Sequence, residues 1–208
     1  MSNAYRADID GLRALCILPV VLFHGAVPYF EGGFVGVDSF FVISGYLITT
    51  LIASDITDRK FSFGNFYRRR ARRLLPALLF LYAAILVFSL AYYTPASLHS
   101  NLQQISASIL LFSNFFYLER IDYFAGDNLS FMLLHTWSLS IEEQFYLVFP
   151  AALTIAMRTL GRSRAAVALL ILTVASFLYS CYLAHWAGES SGAYYHSLSR
   201  FWQLVNAD

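Results

Sequence analysis

Charge is what this sequence has least of. Only 13% of its 208 residues are Asp, Glu, Lys or Arg, and the net charge is +1. A soluble globular chain carries about twice that charged fraction, so an ordinary soluble domain is excluded and no nucleic-acid partner is expected. Cysteine is nearly missing as well. Cys16 and Cys181 each lie inside an apolar stretch, where they suit helix packing better than a disulfide and leave the compartment unread. There is no Gly-rich phosphate loop, metal-ligand spacing or Gly-x-Ser-x-Gly elbow, so neither a metal nor a tightly bound cofactor is expected. Repeats, low-complexity linkers and domain boundaries are missing too, which leaves one membrane domain over 1–208. No cleavable signal peptide is evident, because Asp8, Asp10 and Arg13 interrupt the start.

Apolar length is what the chain has instead. Hydrophobic residues make up 58% of it, aromatics 17% with 19 Phe and 14 Tyr, and mean hydropathy is +0.57. This composition predicts an all-α, polytopic membrane helical bundle with rings at the interfaces. A spanning helix needs about 20 apolar residues, and 11–29, 35–54, 73–93, 141–157 and 165–187 qualify, which predicts about five transmembrane helices. The more polar stretch 103–118 reads as a short re-entrant or interfacial segment. Arg59, Lys60, Arg68, Arg69, Arg70, Arg72 and Arg73 concentrate half of the 14 basic residues in 58–73. The positive-inside bias makes that loop cytoplasmic, and with it the N-terminus. The weaker basic loop with Arg158, Arg162 and Arg164 falls on the same side, and 94–140 falls outside.

Ionisable residues inside such spans are expensive and mark function or a partner. Arg13 and His24 stand eleven residues apart, close to three turns, so they share a helix face about 16 Å apart along the axis. Pro19 between them loosens that alignment. Either alone could be interfacial; together they favour a polar path. Asp38 starts the next span, where the helix dipole favours it, and Ser44 with Gly45 eases helix packing. "RRRARRLLP" (68–76) anchors topology and touches anionic lipid, or it binds phosphate through Arg69, Arg70 and Arg73, since guanidinium forks match phosphate oxygens. In "LLHTWSLSIEEQFYLVFP" (133–150), Ser140 and Glu143 fit a capping box. Glu142, which shares a face with Tyr146, is left unexplained, beside His135 and Trp137. A carboxylate near an imidazole orients it and raises its basicity. His99, His185 and His196 read as interfacial.

Four stretches, "IDGLRALCILPVVLFH", "GGFVGVDSFFVISGYLI", "FYRRRARRLLP" and "LHTWSLSIEEQFYLVFP", together resemble the membrane-bound acyltransferase-3 family, which O-acylates surface polysaccharides and related glycans. They occur in the family's order over residues 9 to 150. The resemblance implies a bacterial inner-membrane enzyme. It would move an acyl group, usually acetyl, from acyl-coenzyme A on the cytoplasmic side to a hydroxyl of a glycan or lipid-linked saccharide outside. It makes His24 the catalytic histidine, Arg13 its partner, Arg70 and Arg73 the donor-site pair, and Glu142 the motif carboxylate, with Glu143 beside it. Members have about ten helices, so this chain is expected to be the N-terminal part of such a core. The tail "SRFWQL" resembles the family's Arg-x-Trp-Glu-Leu entry to a further helix, with Gln203 in the Glu position. The other readings are a membrane carrier using Arg13, His24 and Glu142 as a polar path, and an inactive or partner-dependent membrane fragment.

Overall fold

Nine helices and no strand occur among the described residues, which are 7–121, 131–188 and 190–205 of this computed structural model. In chain order they are α1 (Ala7–His24), α2 (Val35–Thr57), α3 (Phe63–Tyr92), α4 (Pro95–Ile109), α5 (Ser113–Leu118), α6 (Thr136–Leu160), α7 (Arg162–His185), α8 (Ser190–Tyr195) and α9 (Ser197–Leu204). Part of the expected outer segment 94–140 and the last three residues of the tail lie outside the described residues.

The helices form the membrane bundle that hydropathy predicts, with unequal members. Three of them, α2, α3 and α7, are long and apolar enough to cross a membrane. The apolar part of α1, Gly11–His24, is shorter. With 25 residues α6 has the length, but it brings Glu142 and Glu143 into its first half. The two helices that fall short as apolar spans are those that carry Arg13, His24 and Glu142. The stretch 103–118 is not one continuous helix. It splits into α4 and α5, of 15 and 6 residues, with Leu111 in the left-handed region at φ +56° between them. Polar residues of α4 face inward: Asn101 donates to Ser89 (2.9 Å), Ser108 pairs with Tyr82 (2.7 Å), and Gln104 accepts from the Leu133 amide (3.0 Å).

Three boundaries differ from expectation. The arginine cluster lies on a helix rather than in a loop, because Ser62 caps α3 at Asn65 (3.5 Å) and arginine is a good helix former. Helix α1 stops at His24 instead of 29, where Gly25 and Ala26, the latter at φ +51°, turn the chain. Helix α6 begins at Thr136, one turn before the expected capping box. Ser140 is therefore inside the helix, bonded to Ser113 (2.7 Å), and caps nothing.

Helix α2 buries one stripe, Phe41, Ser44, Gly45, Ile48, Thr49 and Ile52, at the three-and-four spacing of a helix face. Small residues bring backbones together, as lipid-immersed helices require. Gly36 lies against the Cys16 carbonyl and Gly33 against the Pro19 carbonyl of α1, while Gly45 meets the Leu204 backbone of α9. The outer faces of α3 and α7 stay bare, with Phe80 78% and Ile171 63% exposed; hydrocarbon tails solvate such side chains as well as a protein core does. Contacts of α1 with α2, and of α6 with α1 and α3, are all antiparallel. This puts His24 and His135 at one end and the two basic connections at the other.

Gly45→Val should force α2 away from α9, lowering stability by about 1–3 kcal/mol, whereas Gly64→Ala, whose added carbon meets nothing within 4 Å, should leave it unchanged or raise it. Thermal unfolding of the two variants in detergent reads the difference.

Candidate active site

Helix α6 turns two adjacent carboxylates toward two different helices. Glu142 is buried and faces Arg13 of α1, with Nη2 to Oε1 at 3.9 Å. It also accepts a hydrogen bond from Tyr146, one turn on, at 2.6 Å. Glu143 accepts from Arg70 of α3 at 2.6 Å, and both side chains are 17% exposed. The Arg70 guanidinium lies over the Tyr146 ring, 3.5 Å from its centroid, a cation–π contact that strengthens when desolvated. Arg13 donates to the buried Ser44 hydroxyl of α2 at 2.8 Å and stands 5.2 Å from the Phe40 ring. Two cations and two anions thus neutralise each other within four helices. Charges this enclosed are tolerated only when paired.

Above this network, toward the other end of the bundle, opens a cavity of about 810 Å³ between α1, α2, α3 and α6. Its walls are mostly apolar, including Val20, Phe40 and Leu74, and its polar lining is His24, His135, Ser138 and Glu142. His24 Nδ1 lies 2.8 Å from the Val20 carbonyl. A carbonyl oxygen only accepts, so Nδ1 carries the proton and Nε2 keeps its lone pair when the ring is neutral. Phe23 packs edge-on against the ring at 5.2 Å. Enclosure, and secondarily the facing charge of His24, holds the His135 imidazole below its usual range. The arrangement can take a proton from a hydroxyl, or accept an acyl group, at Nε2.

The residues singled out in the sequence separate into three groups. Arg13, Ser44, Glu142, Glu143, Tyr146 and Arg70 meet in the network, and His24 shares the cavity with Glu142. Arg13 does not line that cavity; its guanidinium is held by Ser44 and Glu142. Arg70 and Arg73, expected as a pair, diverge: Arg70 turns inward while Arg69 and Arg73 are exposed. Trp137 is buried among Phe41, Tyr194 and Tyr195, with ring centroids 4.7–6.3 Å away. Asp38 pairs with the buried Arg200 of α9 at 2.6 Å. Sequence reasoning missed that partner, although an arginine in an apolar tail was a signal of one.

A double-mutant cycle on Arg70→Gln and Glu143→Gln should give a coupling energy of about 0.5–3 kcal/mol, with each single change more damaging than its own removal from the other's background. Unfolding midpoints of the four proteins measure it.

Comparison with known proteins supports a single assignment. Residues 6–204 match the acyltransferase domain family. The chain is 35% identical over 206 residues to "O-acetyltransferase OatA" of Staphylococcus aureus strain NCTC 8325, covering 98% of this chain and 34% of that protein. It is 32% identical over 208 residues to "Peptidoglycan O-acetyltransferase OatA" of Listeria monocytogenes, covering 99% of this chain and 33% of the other. The chain therefore spans about a third of the length of these relatives. No solved structure matches it significantly. With its four motifs folded around one charged network and one histidine-lined cavity, the chain belongs to the acyltransferase-3 family of membrane proteins.

Proposed function

We propose that this domain moves an acyl group, acetyl by default, from acyl-coenzyme A to a hydroxyl of a cell-surface glycan, with His24 as general base or transient acyl carrier. The single observation behind this reading is the His24 geometry. Its Nδ1–H is occupied by Val20, and its ring borders a mostly apolar cavity of about 810 Å³. The acceptor proposed is a peptidoglycan sugar, since the Listeria relative is named for that substrate.

The proposed orientation places the basic end and the N-terminus in the cytoplasm of a bacterial inner membrane, following the Lys and Arg bias. Coenzyme A then approaches from that end. Arg69 and Arg73, exposed on α3, suit its phosphates, while Arg70 tethers α3 to Glu143. Glu142, held by Arg13 and Tyr146, lines the cavity that His24 borders.

His24→Ala in the full-length protein should lower glycan acetylation by about 10²–10⁴-fold or more with insertion and folding unchanged; normal acetylation by that variant would remove His24 from the chemistry. Arg73→Ala should instead raise KM for acyl-coenzyme A with kcat little changed, as loss of uniform binding does. Initial rates at varied donor concentration separate the two effects.

A further inference from the structure

The cavity holds a second imidazole that the proposed reaction leaves unused. His135 precedes α6 and stands on a backbone built into the core. Leu134 is 6% exposed and Thr136 1%, the Thr136 hydroxyl donates to the Leu133 carbonyl at 2.7 Å, and Ser138 donates to the His135 carbonyl at 3.1 Å. Its ring, by contrast, opens to the cavity that His24 lines from α1. Among the described residues that ring makes no hydrogen bond. A fixed backbone carrying an unengaged ring suits a group whose partner is a substrate.

His24 has one nitrogen to use. Nδ1 gives its proton to Val20, so Nε2 alone faces a reaction. A nitrogen that has taken an acyl group has no lone pair left to accept a proton. If His24 is the carrier, a different base must activate the acceptor hydroxyl. Among the described residues, the titratable groups that line the cavity are His24 from α1, His135 just before α6 and Glu142 within it; α2 and α3 contribute Gly36 and apolar side chains there. Glu142 turns Oε1 away to Tyr146 and Arg13. Among the described residues, His135, which lines the same cavity and whose imidazole is held below its usual range, offers the lone pair that remains.

We propose that the two histidines divide the reaction: His24 carries the acyl group on Nε2, and His135 removes the proton of the acceptor hydroxyl. This rests on the acyltransferase reading above. In the first step Nε2 bonds to the thioester carbonyl carbon, the C–S bond breaks, and its electron pair leaves with sulfur as the coenzyme A thiolate. In the second, the acceptor oxygen bonds to the same carbon and its proton passes to His135. The C–N bond breaks and its pair returns to Nε2. His135 then loses its proton to solvent, which balances protonation of the thiolate. His135 is thus a catalytic residue that touches the acceptor.

The test uses the full-length protein in nanodiscs, with acetyl-coenzyme A labelled in the acetyl group and a soluble peptidoglycan fragment as acceptor. His135→Gln should release about one thiol per protein and retain about one labelled acetyl, as a stalled covalent intermediate does. Transfer to the acceptor should fall by about 10²–10⁴-fold. His24→Ala should release no thiol and take no label. Should His135→Gln unfold, His135→Ala with added imidazole should regain transfer in proportion to the free base. Wild-type transfer by His135→Gln, or a folded His135→Gln that neither releases thiol nor takes label, overturns the proposal. Absence of acetyl-coenzyme A cleavage by the wild-type protein would instead overturn the acyltransferase reading itself.

Discussion

Arg13 and Arg70 reach into an apolar bundle from two helices and end on neighbouring carboxylates of a third. Everything near the cavity is placed by that exchange of charge. An unpaired guanidinium or carboxylate at this depth would cost several kcal/mol, so α1 and α3 are confined to positions where their arginines meet α6. The positions of Tyr146 and Ser44 tighten the restraint. The first donates to Glu142 while its ring carries Arg70, and the second accepts from Arg13 and ties α2 to the set. Directional bonds of this kind matter more in lipid than apolar contact does, because helices gain little by exchanging hydrocarbon for hydrocarbon.

The cavity is a consequence of where the network stops. Glu142 marks the boundary: it pairs with Arg13 on one side and lines the chamber between α1, α2, α3 and α6 on the other. The end of α1 borders this chamber. His24 is its last residue, bonded back to Val20 one turn earlier, so the ring is oriented by its own helix and needs no second element to hold it. Glu142 belongs to both regions. It takes part in the charge balance of the network and is the only carboxylate that lines the chamber among the described residues.

A second clamp secures the opposite side of α2. Asp38 sits in the first turn, where the helix dipole already favours an anion, and pairs with Arg200 of α9, whose guanidinium also lies 4.4 Å from the Tyr194 ring centroid. Gly45 and Leu204 bring the same two helices into backbone contact. The short C-terminal helices therefore brace α2, and through its Phe41–Trp137 contact they brace the start of α6. Trp137 does its work there, in packing, which is why an aromatic at the mouth of the motif does not reach the chamber.

Hydropathy alone was enough to establish an α-helical membrane protein, because twenty apolar residues in a row have few other stable arrangements in lipid. The same pattern marked 103–118 as marginal for a span, and motif order pointed to the acyltransferase-3 family. Spacing predicted one face of α1 for Arg13 and His24, since helical periodicity is a local property, but only His24 lines the cavity. What a local property could not supply was the partner of each charge. That Arg70 turns to Glu143 and parts from Arg73, that Asp38 waits for Arg200 across 162 positions, and that His135 shares a chamber with His24 all depend on how the helices cross. Crossing is decided by close backbone approach at Gly33, Gly36 and Gly45 and by the need to neutralise charge in a low dielectric, and only the assembled bundle satisfies both conditions at once.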